Sequence, residues 1–188
     1  TDPFTVELLK NFQKEKTTVL HKENARQSAA RNFAIRRSKA PYILTLDADD
    51  RFAPQFLEKA VAVLDSKPRV GVVTCWCQTF GAIKKTRQKP QSSAVRDFLT
   101  RNPCSASCLF RKQCWVDAGG YNENMKRGYE DWDFWIAVTK HGWLVEGLPE
   151  ILFYYRVSQC STNTEADKIR PELIREIVSN HRELYEQN

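Results

Sequence analysis

Short β-branched apolar runs alternate with amphipathic helical stretches through the first half of this 188-residue chain. Residues 17–21, 41–46 and 70–79 are rich in the residue types that favour strands. Between them, residues 28–38 and 54–66 carry apolar side chains at helical spacing. Such an alternation is typical of α/β proteins. We therefore expect an α/β fold with a mainly parallel sheet flanked by helices.

The rest of the chain adds elements of both kinds without a visible division. Asp2 and Pro3 predict a helix start, because a polar cap followed by proline suits the first helical turn. Further helices are expected at residues 92–101, 111–118, 130–141 and 166–185, and further strands at residues 105–110, 143–145 and 151–157. No repeat or linker interrupts the sequence, so we predict one domain over residues 1–188.

Composition narrows the class of protein. No apolar run reaches the roughly 20 residues that cross a bilayer, and the first residues lack the basic start and apolar core of a signal peptide. The cysteines form no CxxC pair, so a structural zinc site is not expected. We predict a cytoplasmic protein with reduced thiols at Cys75, Cys77, Cys104, Cys108, Cys114 and Cys160.

The net charge of +6 is concentrated in two segments. One spans residues 26–39, and the other is residues 84–89 within a polar loop at residues 81–91. Basic clusters attract nucleotide phosphates, an anionic membrane surface or nucleic acid, and a solvated basic face is the simpler interpretation of residues 84–89. Because the sequence has no zinc-finger spacing, RNP signature or basic zipper, we do not expect a nucleic-acid partner.

The apolar run at residues 42–46 ends in an acidic turn, residues 47–50. Asp47 and Asp49 point the same way if the segment is extended, and open α/β folds bind ligands at the carboxyl edge of the sheet. Paired carboxylates suit Mg²⁺ or Mn²⁺, and such a metal commonly holds a diphosphate. The alternative is an acidic strand-to-helix turn, in which Asp50 caps a helix that starts near Pro54.

A second acidic pair, Glu130 and Asp131, stands at the predicted start of a helix. The helix dipole stabilises anions there, and an ionised carboxylate can accept a proton from an attacking hydroxyl. Trp132 and Trp135 flank the acids and suit stacking on a sugar ring. Ordinary capping of the helix is the alternative. Together the two acidic pairs suggest that one holds a metal against a leaving diphosphate while the other activates a nucleophile.

The order and spacing of these motifs resemble those of the family 2 glycosyltransferases. The matching segments lie within residues 24–32, 42–50, 109–112, 119–135 and 155–156, and the resemblance extends from residue 1 to about residue 160. It implies a GT-A fold, which is a nucleotide-sugar-binding α/β sandwich. It also implies an enzyme that transfers a sugar from a nucleotide-diphosphate donor to a hydroxyl acceptor, usually with inversion.

The resemblance assigns roles to the acidic residues. Asp47 and Asp49 match the DxD motif, which holds Mn²⁺ or Mg²⁺ together with the ribose and phosphates of the donor. Asp131 matches the catalytic base of the family, and Glu130 matches its acidic neighbour near the acceptor or the donor sugar. The resemblance thus implies a metal-dependent reaction in which Asp131 removes the proton of the acceptor.

Three further residues match the nucleotide-binding part of the family pattern. Arg31 and Asn32 match an Arg-Asn pair on the helix beneath the nucleotide, and Arg156 matches a basic residue near the diphosphate. The family opens with a strand and a turn that bind the base, and this chain lacks both. We therefore expect an amino-terminally truncated fragment of a longer protein. Arg26 replaces a family glycine, and no histidine follows Arg156 to serve as a further metal ligand.

The resemblance also implies partners. The donor is a nucleotide sugar, with a UDP-sugar as the first candidate, and the acceptor is a glycan, a lipid-linked glycan or a protein. Peripheral contact with the cytoplasmic membrane face and self-association through an open sheet edge are compatible with the sequence. The alternative function is a non-catalytic domain that binds nucleotide sugars or glycans. A glycosidase also uses two carboxylates, but the DxD spacing fits a diphosphate better.

Overall fold

The computed structural model describes residues 2–158 and 166–186. A seven-stranded sheet stands at the centre, with helices on its two faces. The elements follow in the order α1 (Pro3–Lys10), α2 (Arg26–Arg37), β1 (Tyr42–Leu44), β2 (Arg51–Phe52), α3 (Gln55–Ser66), β3 (Val70–Gly81), β4 (Thr86–Arg87), β5 (Ser92–Ser93), α4 (Val95–Phe98), β6 (Leu109–Arg111), α5 (Lys112–Asp117), α6 (Glu130–Lys140), β7 (Leu144–Val157), α7 (Arg170–Asn180) and α8 (Arg182–Tyr185). The α/β prediction is therefore confirmed.

The sheet is built on two long central strands. Its order is β1-β6-β3-β7-β2, with β4 added to β3 and β5 added to β7. The β3–β7 pair is parallel from Val70 and Leu144 to Gly81 and Val157, whereas the other described pairs are antiparallel. The sheet is thus mixed, because only the longest pairing is parallel and short strands line its edges.

Alternation along β3 and β6 separates two apolar cores. Val72 and Phe110 face one side of the sheet, where they pack with the side chains of α6. Val73 and Leu109 face the other side, where they pack with α3. This period of two is the geometry expected of a strand that is buried on both faces. The sheet edge that carries the acidic turn is therefore fixed by a core on each side.

Several strand predictions differ from the structure, and the two strands expected at residues 143–145 and 151–157 are one strand, β7. Residues 17–21 form no strand, because no described strand lies beside them to accept their backbone hydrogen bonds. The run at residues 41–46 forms the three-residue edge strand β1 rather than a buried strand, with Leu44 and Leu46 exposed by 37% and 48%. A β-branched or apolar run predicts a strand only where a partner strand is available.

The helix at the amino terminus begins as predicted. The Asp2 carboxylate accepts a hydrogen bond of 2.8 Å from the backbone N–H of Thr5, and Pro3 occupies the first turn. Its apolar side chains contribute nothing to the described core, since Phe4 and Leu8 are exposed by 74% and 54%. None of the described helices is long and apolar enough to cross a bilayer.

The cysteine prediction is confirmed for the five described cysteines, which are free and buried. Burial raises the pKa of the Cys75 and Cys114 thiols to about 12. Cys104 and Cys108 lie with their sulfurs 3.2 Å apart, beyond bonding distance. Cys160 lies outside the described residues.

Candidate active site

A cavity of about 860 Å³ opens at the sheet edge between the acidic turn, the start of α6 and residues 101–107. The structure brings six of the seven predicted site residues to this cavity. They are Arg31, Asp47, Asp49, Glu130, Asp131 and Arg156. The seventh, Asn32, is buried and does not line the cavity. Residues that are up to 125 positions apart in sequence therefore share one solvent-accessible site.

Arg31 joins the two acidic motifs. Its guanidinium on α2 donates to Asp47 Oδ1 over 3.2 Å and to Glu130 Oε1 over 2.9 Å. The Arg31 and Glu130 side chains are only 12% and 9% exposed, whereas that of Asp47 is 39% exposed. Since screening by water is weak at such depth, this cation offsets much of the repulsion between the carboxylates around it.

The Glu130–Asp131 pair lies in the first turn of α6. The preceding Tyr129 adopts the left-handed conformation, with φ of 60°, and no side chain caps the helix. Burial raises the pKa of Glu130, and the neighbouring Asp131 raises it further against the opposing effect of Arg31. Burial likewise raises the pKa of Asp131. A carboxylate whose pKa is raised is a stronger base than an ordinary one, which suits it to accept a proton.

The side chain of Asn102 holds Asp131. Its Nδ2 donates to Asp131 Oδ2 over 2.9 Å, and its Oδ1 accepts a hydrogen bond from the backbone N–H of Cys104 over 3.2 Å. This contact lowers the pKa of Asp131 against the larger effect of burial. Asn102 is a site residue that the sequence analysis missed, since no motif surrounds it and 29 positions separate it from Asp131.

The acidic turn is anchored through Asp50, not through helix capping. Asp50 Oδ1 accepts a 2.8 Å hydrogen bond from the backbone N–H of Arg156 on β7. The N-cap position of α3 belongs to Pro54, which has no side-chain bond to offer, so the capping alternative is wrong. Asp50 Oδ2 is buried without a partner among the described residues, and burial raises the pKa of this carboxyl to about 6. Tying Asp50 to β7 leaves Asp49 exposed in the cavity.

The acidic turn fits a divalent cation that takes its remaining ligands from elsewhere. Asp47 and Asp49 offer hard carboxylate oxygens at the cavity surface, and Asp50 Oδ2 is a nearby buried oxygen that has no partner among the described residues. Within residues 2–158 and 166–186 no group of three His, Cys, Asp or Glu side chains converges as a closed metal site. Mg²⁺ and ions like it are commonly bound by one or two carboxylates together with waters and substrate phosphates, so the donor set is chemically suitable.

Asn32 is a structural residue in this fold. Its Nδ2 donates to the backbone oxygen of Tyr121 and to Glu123 Oε1, and its Oδ1 accepts from the Tyr121 N–H and from Trp115 Nε1, all within 2.9 Å. Gly120 has φ of +88°, and a Cβ there would lie 3.0 Å from Asn32 Oδ1. Asn32 therefore fixes the helix that carries Arg31 to residues 115–123.

The two tryptophans that suited sugar stacking are core residues. Trp132 and Trp135 are 4% and 0% exposed. Trp132 Nε1 donates to the backbone oxygen of Phe98 and Trp135 Nε1 to that of Ser105. Because α6 is buried on nearly all sides, both side chains pack in the core and fix the position of the acids, and of the two only Trp132 also lines the cavity.

The chain belongs to glycosyl transferase family 2. The sequence model of that family matches residues 2–116, which is more than half of the chain. The chain is 25% identical over 139 residues to the amylovoran biosynthesis glycosyltransferase AmsE of Erwinia amylovora, covering 71% of this chain and 52% of the relative. It is 26% identical over 161 residues to the putative teichuronic acid biosynthesis glycosyltransferase TuaG of Bacillus subtilis, covering 81% of this chain and 62% of the relative.

Solved structures confirm the GT-A fold. The S. aureus TarS fragment 1–349 in complex with UDP-GlcNAc superposes with a TM-score of 0.67 at 18% identity, covering 94% of this chain and 53% of that one. The mannosyltransferase PcManGT from Pyrobaculum calidifontis, in complex with GDP-Man and Mn²⁺, gives 0.57 at 20% identity, covering 79% of this chain and 41% of that one. The chain spans about half the length of the curated relatives it matches.

The role of Asn32 predicts a loss of stability without a change at the cavity surface. Asn32→Ala removes four hydrogen bonds and leaves buried donors and acceptors unpaired, which should lower the free energy of unfolding by about 3 kcal/mol. Urea unfolding followed by tryptophan fluorescence measures the loss. The exposed Asn124 provides the matched control, and Asn124→Ala should change the same free energy by less than about 0.5 kcal/mol. Equal stabilities of the two variants would contradict the structural role.

Proposed function

We propose that this chain is the catalytic domain of a glycosyltransferase that moves a sugar from a nucleotide-diphosphate donor to a hydroxyl acceptor with inversion. The observation that carries the proposal is the single cavity in which Arg31 joins the acidic turn to the Glu130–Asp131 pair. Family membership and the GT-A fold support sugar transfer. The proposed catalytic domain covers residues 1–188. The chain spans about half the length of the relatives that it matches.

Asp131 is the proposed base. It is half-buried at the cavity wall, where Asn102 donates to its Oδ2, and its ionised carboxylate is proposed to accept the proton of an acceptor hydroxyl. In an inverting transfer the deprotonated oxygen attacks the anomeric carbon from the face opposite the leaving diphosphate. Glu130, paired with Arg31, is proposed to contact the acceptor or the donor sugar beside the base.

Asp47 and Asp49 are the proposed ligands of Mn²⁺ or Mg²⁺. Such an ion, when bound, would neutralise charge that develops on the leaving diphosphate. The Arg156 side chain on β7 lies against this turn, with its Nε 3.4 Å from the Asp49 backbone oxygen, and is proposed to add positive charge there. Arg31 is proposed to hold the Asp47 side chain in place through its 3.2 Å hydrogen bond. The neighbours with bound UDP-GlcNAc, or with GDP-Man and Mn²⁺, support a nucleotide sugar and a divalent metal.

The proposed donor is a UDP-sugar, and the acceptor is a glycan, a lipid-linked glycan or a protein. These finer assignments follow the family resemblance and the UDP-containing neighbours. Peripheral contact with a cytoplasmic membrane face is proposed with them, since Lys84 and Lys85 stand exposed on the basic loop. The exposed edge strand β1 makes self-association a further proposal.

Metal-dependent nucleotide binding tests the acidic turn. Calorimetric titration of UDP should show binding with Mn²⁺ and none with EDTA. Asp49→Asn should weaken the metal-dependent binding by at least about tenfold, because one of two carboxylate ligands is lost. The exposed Glu58 on α3 gives the control of equal charge change, and Glu58→Gln should bind as the unchanged chain does. Identical UDP affinities with and without metal would refute the metal site.

The base assignment predicts a loss of turnover with donor binding retained. Asp131→Asn keeps the shape of the side chain but cannot take up a proton, so the rate should fall by about 10² to 10⁴-fold. The measurement is release of UDP from a panel of UDP-sugars, with calorimetry showing that the affinity for UDP is kept. Near-normal turnover in the variant would remove Asp131 from the role of base.

The pH dependence of the reaction distinguishes a positioning role for Asn102 from a merely structural one. Asp131 must be ionised to act, and its pKa is raised. As the pH is lowered, the rate should therefore begin to fall at a higher pH than the range in which an ordinary aspartate becomes protonated. Asn102→Ala removes a hydrogen bond that favours the ionised form, which should raise this pKa and move the acid limb to higher pH. The profile of kcat against pH measures the shift. An unmoved limb with a lower rate would contradict the proposed contact.

A further inference from the structure

Two cysteine side chains are in contact beside the cavity. The sulfurs of Cys104 and Cys108 lie 3.2 Å apart and share a hydrogen bond. The two residues are buried, with exposures of 3% and 0%, and Cys104 is part of the cavity lining. A small reagent that enters the cavity therefore has a route to this pair, whereas Cys75 and Cys114 do not line the cavity. We call Cys104 and Cys108 the dithiol.

The surroundings of the dithiol favour a thiolate. Lys89 Nζ donates to the backbone oxygen of Cys104 over 3.2 Å, and its positive charge acts to lower the pKa of both thiols. Burial opposes ionisation and raises the pKa of Cys104 well above its usual value. Burial acts on Cys108 too, but hydrogen bonds with Cys104 and Thr74 lower its pKa. One proton of the dithiol is thus easier to remove than the other, which is typical of two interacting groups.

A bond between the two sulfurs would move Cys104 rather than Cys108. A disulfide has an S–S distance of about 2 Å, so the sulfurs must approach by about 1 Å. Cys108 adjoins β6, and its backbone N–H and oxygen both bond to Thr45. Cys104 lies in a segment without helix or strand, where its N–H donates to Asn102 Oδ1 and its oxygen accepts from Lys89. The displacement therefore falls mainly on Cys104 and on the Asn102 side chain.

Asn102 connects the dithiol to the proposed base. Its Oδ1 accepts from the Cys104 N–H over 3.2 Å, and its Nδ2 donates to Asp131 Oδ2 over 2.9 Å. The two atoms belong to one planar amide, so a shift of the Cys104 backbone moves the donor as well. Beyond about 3.5 Å such a contact is no longer a hydrogen bond, and a displacement of about 1 Å is enough to remove it.

We propose that Cys104 and Cys108 form a reversible disulfide on oxidation by a hydroperoxide, and that this bond withdraws Asn102 from Asp131. The dithiol is then a redox-sensitive modification site in the cavity wall. Formation of the disulfide does not depend on the proposed function, whereas its effect on turnover rests on it. Asn102 acts here as a positioning residue, since it reaches the reacting atoms only through Asp131.

The chemistry balances with a peroxide as the oxidant. The thiolate of the dithiol attacks one peroxide oxygen, which forms an S–O bond, breaks the O–O bond and releases hydroxide or an alkoxide. The second thiol then attacks the sulfenic acid, which forms the S–S bond, breaks the S–O bond and releases water. With hydrogen peroxide, two thiols and one peroxide give one disulfide and two waters. Dithiothreitol reverses the modification by thiol–disulfide exchange.

Mass spectrometry tests the disulfide. The folded chain is treated with hydrogen peroxide, unfolded, alkylated with iodoacetamide and digested with trypsin, which leaves both cysteines in the peptide of residues 102–111. We expect this peptide to stay unalkylated and to be lighter by two hydrogens than its reduced form, unless dithiothreitol is added first. Cys108→Ser and Cys104→Ser should both abolish this product. Cys77→Ser is the matched control, because Cys77 is another buried thiol that lines the cavity.

An NMR titration of the Asp131 carboxyl tests the effect on the proposed base without any need for turnover. Oxidation should raise the pKa of Asp131, because the Asn102 hydrogen bond favours the ionised form. Asn102→Ala should show the same rise, and oxidation of that variant should add nothing further. Where turnover is measured at acidic pH, oxidation should lower kcat by about tenfold, and dithiothreitol should restore it. Thermal melting shows whether each variant is folded.

Three results would overturn the inference. They are the absence of the Cys104–Cys108 bond after peroxide treatment, a bond that leaves the Asp131 titration unchanged, and an equal Asp131 shift in peroxide-treated Cys108→Ser. The last would mean that oxidation elsewhere moves the carboxyl. A chain that forms the bond and shifts Asp131, yet transfers no sugar from any nucleotide sugar, would refute the proposed function and support the redox site.

Discussion

The buried bridge made by Arg31 is the interaction on which the arrangement of the site depends. Asp47, Glu130 and Asp131 are negative groups that arrive from two separate parts of the chain, and Glu130 is almost fully withdrawn from water. Breaking a buried ion pair by removing one partner typically costs about 3–5 kcal/mol, since the remaining charge stays desolvated. One guanidinium with a planar fork can contact both carboxylates at once. The acidic turn and the start of α6 are therefore held together by electrostatics as well as by packing.

Residues next to this bridge are held in place by packing and hydrogen bonds in the core. Asn32 fastens α2 to residues 115–123 one position after Arg31. Trp132 and Trp135 bury α6 beneath the acids, and Asp133 accepts hydrogen bonds from Asn180 and contacts His181 at the end of α7. Arg31, Glu130 and Asp131 thus each stand one or two residues from a side chain that is buried in the core. A rigid core directly beneath a polar surface is an efficient way to hold reacting groups in place.

The sequence predicts the parts of this site that local motifs encode. Asp47 and Asp49, like Glu130 and Asp131, come as short acidic pairs at element ends, and the family resemblance adds Arg31 and Arg156. The features that the sequence does not predict depend on contacts between distant parts of the chain. Asn102 reaches Asp131 over 29 positions with no motif around it. The run at residues 17–21 has strand-forming residues but no partner strand, and Trp135 reads as a ligand-stacking ring until packing shows it fully buried.

The buried thiols have a consequence for how this chain can be studied. Cys75 and Cys114 are nearly inaccessible, with pKa values near 12, so they carry almost no thiolate at neutral pH. Alkylating reagents attack the thiolate, and in the folded chain they find neither access nor the reactive form. When either core opens, its cysteine becomes accessible to the reagent and can also ionise. The rate at which these two cysteines are alkylated therefore reports how often each face of the sheet opens, because Cys75 lies in the core with α3 and Cys114 in the core with α6.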